Sequence, residues 1–112
     1  MAPTINASSL DRFRDKPALL HRMIQIYLDT VPKMIADMRE SAINQDTEKV
    51  SFLAHSIKGS SAEIGAEHLG EISQQLQMVA KDGNKDLIEP LMADLADCFE
   101  QTRLALQAFD TG

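Results

Sequence analysis

Residues 46–64 read Asp46-Thr47-Glu48-Lys49-Val50-Ser51-Phe52-Leu53-Ala54-His55-Ser56-Ile57-Lys58-Gly59-Ser60-Ser61-Ala62-Glu63-Ile64. Wound at 3.6 residues per turn, this segment puts Val50, Leu53, Ile57 and Ile64 on one stripe, the spacing of a helix face packed against other helices. His55 points roughly the opposite way. The positions a turn to either side of it, Ser51, Gly59 and Ala62, are all small, and Lys58 follows three residues on, within reach of the same patch. A helical side chain leans toward the helix N-terminus, so the imidazole is expected over the turn that holds Ser51. Glycine inside a helix costs about 1 kcal/mol relative to alanine. The expectation is that Gly59 makes room for a partner approaching the imidazole, where a Cβ would stand in the way. A lone exposed histidine on an amphipathic helix is ordinarily a solvated surface residue. The small neighbours, the lysine and the mid-helix glycine set this one apart.

Working outward, Asp46 or Thr47 is placed to cap this helix and Gly65 to end it in a left-handed conformation. Upstream, residues 8–14 can form a turn or two of helix with Leu10 and Phe13 as apolar contacts, and Asp15 and Pro17 signal a new start. A long helix over about 16–44 follows, with Leu20, Ile24, Tyr27, Val31, Ile35, Met38 and Ala42 on its apolar stripe. Pro32 lies inside it, removes the bond to the Leu28 carbonyl and predicts a bend there. Downstream, the corner Gly65-Ala66 leads to a helix over about 67–81 with Leu69, Ile72, Leu76 and Val79 inward. Asp82-Gly83-Asn84 breaks the chain, and the last helix spans about 86–110, using Ile88, Leu91, Leu95, Cys98, Thr102, Ala105 and Phe109. Pro90 is tolerable there if it lies in the first turn. The expected fold is all-α: an antiparallel up-down four-helix bundle with a short extra N-terminal helix, one domain over residues 1–112.

Composition agrees with a small aliphatic core. The 112 residues are 44% hydrophobic and only 4% aromatic, with six Met and no Trp, and no alternating β-branched runs mark strands. A net charge of −6 argues against nucleic acid or an anionic membrane as the main partner. No run of 18 apolar residues could span a bilayer, and the N-terminus lacks a signal-peptide layout, so a cytoplasmic location and a monomer are expected. Cys98 is alone, which excludes an internal disulfide and suits a small buried hydrophobe. No Glu-x-x-His pair occurs, the methionines read as core filler, and no metal or other cofactor is expected.

A bare imidazole with a reference pKa of about 6.5 offers a free nitrogen nucleophile at neutral pH without a neighbouring base. Phosphoryl transfer needs mainly positioning and charge compensation, which Lys58 can supply. Neither Gly-x-x-x-x-Gly-Lys nor Gly-x-Gly-x-x-Gly is present, so the phosphoryl group would come from another protein and not from a nucleotide. Ser60 and Ser61 have no second histidine or acid placed to activate them and suit packing or helix-hydroxyl roles; His21 and His68 suit the solvated surface.

His55, Ile57, Lys58, Gly59, Ser60, Ser61, Gly65, Ala66 and Leu69 together resemble the signature of the histidine-containing phosphotransfer (HPt) domain of multistep phosphorelays, His-x-Leu-Lys-Gly-Ser-Ser-x-x-x-Gly-Ala-x-x-Leu. Ile57 replaces the usual Leu, Ser73 stands where Cys is common, and Gln77 closes a segment that often ends in Glu. The resemblance implies that His55 takes a phosphoryl group on Nε2 from the aspartyl phosphate of a receiver domain and passes it to another receiver aspartate. It further implies that Lys58 neutralises the phosphate, that Gly59 leaves room for the receiver, and that Gln77 hydrogen-bonds near the imidazole, with Lys81 at a position sometimes basic. Phe52 and Ile5 or Leu10 are expected to supply apolar contact area. Such a chain is a carrier and not an enzyme, either free-standing or part of a hybrid sensor histidine kinase, in which case it is tethered to the inner membrane. Two other readings stay open: the phosphorylated N-terminal domain of a chemotaxis-type histidine kinase, which shares His-Ser-Ile-Lys-Gly, and a helical docking module that never carries phosphate.

Overall fold

The computed structural model describes residues 2–111, the last by its backbone alone; Met1 and Gly112, the ends of the expected domain, lie outside the described residues. A 3-10 helix (η1, Ala7–Phe13) is followed by four α-helices: α1 (Pro17–Ile43), α2 (Thr47–Ile64), α3 (Glu67–Lys81) and α4 (Lys85–Thr111). The described residues contain no strand. Helices α1 and α4, each 27 residues at about 1.5 Å per residue, account for the long axis of a body measuring 44 × 25 × 19 Å.

The helices run antiparallel to their neighbours. At one end His21 Nδ1 of α1 meets Asp110 Oδ2 of α4 at 2.7 Å, and midway the Tyr27 hydroxyl of α1 bonds Ser61 Oγ of α2 at 2.7 Å. Ile24, Val31, Met38, Val50, Ile57, Leu69, Leu76, Leu95 and Leu106 are sealed from solvent along the bundle axis, each contributing roughly 1.5–3 kcal/mol through burial. Three interior hydroxyls are satisfied within their own helix: Ser41, Ser73 and Thr102 donate to the carbonyls of Asp37, Leu69 and Cys98 at 2.8 Å each. Cys98 is a buried free thiol whose pKa burial pushes up.

Local signals set most of the ends. Asp46 caps α2 by accepting from the Lys49 amide, and Gly65 closes it at φ +78°. At Gly65 a Cβ would stand 2.9 Å from the Asn6 carbonyl oxygen, so both the backbone angle and the close approach of the lead-in demand glycine.

Several expectations need correction. The lead-in is the short helix expected, wound as a 3-10, but it folds down onto the α2–α3 corner: the Asn6 amide donates to the Gly65 carbonyl, and the Arg12 guanidinium to the Glu63 carbonyl. Its Leu10 is thereby buried, only 2% exposed, and offers no docking surface. Ile5 is partly buried against the core. On α4, Phe109 is 41% exposed while Met92, Phe99 and Leu106 are buried. Flanked by α1 and α3, α4 buries an arc wider than the single stripe read from its spacing. Helix α4 starts at Lys85, so Pro90 lies in its second turn, where its exposed position lets water satisfy the Asp86 carbonyl. His21, although exposed, is engaged by Asp110.

Candidate functional site

Helix α2 carries the site. His55 is exposed on its outer face, and among the described residues no hydrogen bond or ion pair engages its imidazole. Gly59, one turn on, is exposed as well, and a Cβ built there would meet nothing within 4 Å. Packing inside this chain therefore does not require glycine at 59. Lys58 is half-buried on the side of α2 that faces α3, and among the described residues no acceptor holds its ammonium.

The register between α2 and α3 places the other participants. Ser51 Oγ donates to the Gln77 carbonyl at 3.3 Å, and Gly70 faces Ser61, whose Cβ would lie 3.9 Å from a Cβ at 70. Between these two levels His55 and Lys58 stand opposite the stretch from Glu71 to Gln74. Side chains on each helix lean toward its own N-terminus, which in this antiparallel pair tips Gln77 toward the level of His55. No hydrogen bond joins Gln77 to the imidazole; its Oε1 is buried without a donor, and so is that of Gln74. Lys81 is exposed in the last turn of α3.

Exposed apolar side chains on these two helices are Phe52, three residues before His55 and 67% exposed, and Met78 of α3, next to Gln77 and 55% exposed. Met78 escaped the sequence reading because nothing local says that the outer face of α3 lies next to that of α2. Ser61, inside the signature, is fully buried with its hydroxyl held by Tyr27, which excludes it as a surface nucleophile. Burial pushes the Tyr27 phenol well above its ordinary value of 10.0, an effect the Ser61 bond partly offsets. His68 is half-buried at the start of α3, away from His55, with its backbone amide on the Pro3 carbonyl. Among the described residues no group of three or more His, Cys, Asp or Glu could hold a metal ion.

An uncovered nucleophilic nitrogen, a cation one turn away and an open approach can accept a group delivered by a second macromolecule. Comparison with known proteins supplies the family and the fold. Residues 22–105 match the Hpt domain family. No curated protein sequence matches the chain. Among solved structures, histidine-containing phosphotransfer protein B from Pseudomonas aeruginosa PAO1 superposes with a TM-score of 0.92 at 17% identity, covering 99% of this chain and 97% of that one. The maize histidine-containing phosphotransfer protein ZmHP2 superposes with a TM-score of 0.80 at 21% identity, over 94% of this chain and 86% of its own.

Proposed function

Because the chain belongs to the histidine-containing phosphotransfer (Hpt) domain family, whose members carry a phosphoryl group in phosphorelays, we propose that His55 is the residue it carries that group on. The observation that supports this most directly is the exposed, unengaged imidazole beside Lys58 and the open backbone at Gly59. With its proton on Nδ1, His55 presents the Nε2 lone pair to the phosphorus of a receiver's aspartyl phosphate. The N–P bond forms as the acyl phosphate O–P bond breaks, and the receiver keeps its carboxylate. Transfer onward is the same step reversed onto another receiver aspartate. Lys58 offsets the charge of the phosphoryl oxygens, Gly59 admits the receiver surface, Phe52 and Met78 supply apolar contact, and Gln77 completes the setting of the ring.

In this reading the chain works as a monomer in the cytoplasm, with receiver domains as partners and no ATP site of its own, whether free-standing or joined to a sensor kinase. None of the described helices is long and apolar enough to cross a membrane.

Incubation with a phosphorylated receiver domain should move an acid-labile, alkali-stable phosphate onto the chain, and His55→Gln should abolish it. Equal labelling of the His55→Gln chain would overturn the assignment. Phosphorylation by a kinase catalytic domain with ATP, and not by a receiver, would instead favour the chemotaxis-type reading.

A further inference from the structure

The face of α2 that carries Lys58 borders a groove of about 470 Å³ between α2 and α3. Lys58 is its cation; Glu67, Glu71 and Gln74 are among the residues across from it. An ammonium so placed would ordinarily pair with a carboxylate, which would spend the charge that phosphate needs. The lead-in bonds one oxygen of each glutamate, Asn6 Nδ2 donating to Glu67 Oε1 at 2.6 Å and the Ala2 amide to Glu71 Oε1 at 3.2 Å, and neither carboxylate pairs with Lys58 in the structure. Gln74 is different. Its Oε1 is buried and accepts from nothing, a state costly enough that it calls for a donor.

The two line the same groove without bonding to each other in the structure, and the lean of helical side chains directs them toward one another. Lys58 tips toward the N-terminus of α2 and Gln74 toward the N-terminus of antiparallel α3. From levels offset by about one turn they converge. We infer that Gln74 is a positioning residue: its Oε1 takes one proton of the Lys58 ammonium and holds that group at the level of His55. Because the amide is neutral, the lysine keeps its full charge and two further N–H donors for the phosphoryl oxygens. This inference rests on the reading of His55 and Lys58 given above.

The test uses the full chain and phosphoramidate, which donates its phosphoryl group to a histidine nitrogen with release of ammonia and needs no receiver. Gln74→Met keeps the side-chain length and removes the acceptor. It should slow His55 phosphorylation about fivefold, the rate equivalent of one ordinary hydrogen bond, with the thermal midpoint unchanged or raised. Against a Lys58→Ala background the same substitution should have no effect, since the group it positions is gone. In ¹⁵N NMR at low temperature the Lys58 ammonium should give a slowly exchanging signal in the parent chain that Gln74→Met loses. Equal slowing in both backgrounds, or an ammonium signal that Gln74→Met leaves unchanged, would overturn the inference. If Lys58→Ala alone reacts as fast as the parent, the charge-compensating role of Lys58 fails; the ammonium signal still reports the Gln74 bond by itself.

Discussion

Under the proposed function, Gly59 separates what the bundle needs from what a receiver needs. Since a Cβ there touches nothing in this chain, Gly59→Ala should stabilise α2 by up to about 1 kcal/mol in a denaturant titration. The same variant should lose rate against a phosphorylated receiver while reacting with phosphoramidate as before; equal rates with the receiver would show that the position is not a contact. Tyr27 and Ser61 make the opposite case, two hydroxyls that serve only the interior. Tyr27→Phe leaves Ser61 Oγ buried without its partner and should cost about 1–3 kcal/mol. It should also flatten the alkaline limb of stability. The folded phenol titrates above its unfolded value of 10.0, so its contribution is complete below that pH and falls as pH climbs beyond it, by at most about 1.4 kcal/mol per unit. Thermal midpoints from pH 9 to 11 for both chains would check this. The exposure of His55 and Gly59 was legible in the sequence because a helix face is fixed by spacing alone. The buried amide oxygens of Gln74 and Gln77 were not, since they depend on how far α2 is slid along α3.

Between elements, legibility follows the range of the signal. Helix α2 is bracketed by its own residues, Asp46 at one end and Gly65 at the other, and its limits can be read locally. Helix α3 has no side-chain cap at Ala66. The carbonyl of Pro3 takes the His68 amide instead, at 3.0 Å, and no reading of residues 66–70 could have supplied that partner. The inward face of α4 was similarly misjudged at Phe109, because burial there is decided by two flanking helices. Gly65 concentrates these dependences. Gly65→Ala should destabilise the protein by at least about 1–2 kcal/mol from the positive φ alone, with more from the contact to the Asn6 carbonyl. Hydrogen exchange should quicken at His68 as the lead-in lifts, and unchanged protection of that amide would contradict the linkage.

For the molecule as a whole, stripes of aliphatic residues determine the architecture more than particular identities do. A TM-score of 0.92 at 17% identity with the Pseudomonas aeruginosa protein is the outcome expected when many apolar choices satisfy one packing pattern. The all-α class and the ring of antiparallel neighbours were accessible from periodicity and short connections for that reason. The fastening of the lead-in was not, since Asn6 and Glu67 stand 61 residues apart in the chain. That separation has a kinetic consequence. The α2–α3 hairpin closes over a two-residue corner, whereas the lead-in can dock only after α1 and α2 have been laid down, which makes its docking the costlier closure and the later one. Asn6→Ala should therefore leave the refolding limb of a chevron plot in place and steepen only the rate of escape from the native state. The fastening over the corner would then govern how long the folded carrier lasts, and hardly at all how quickly it is made.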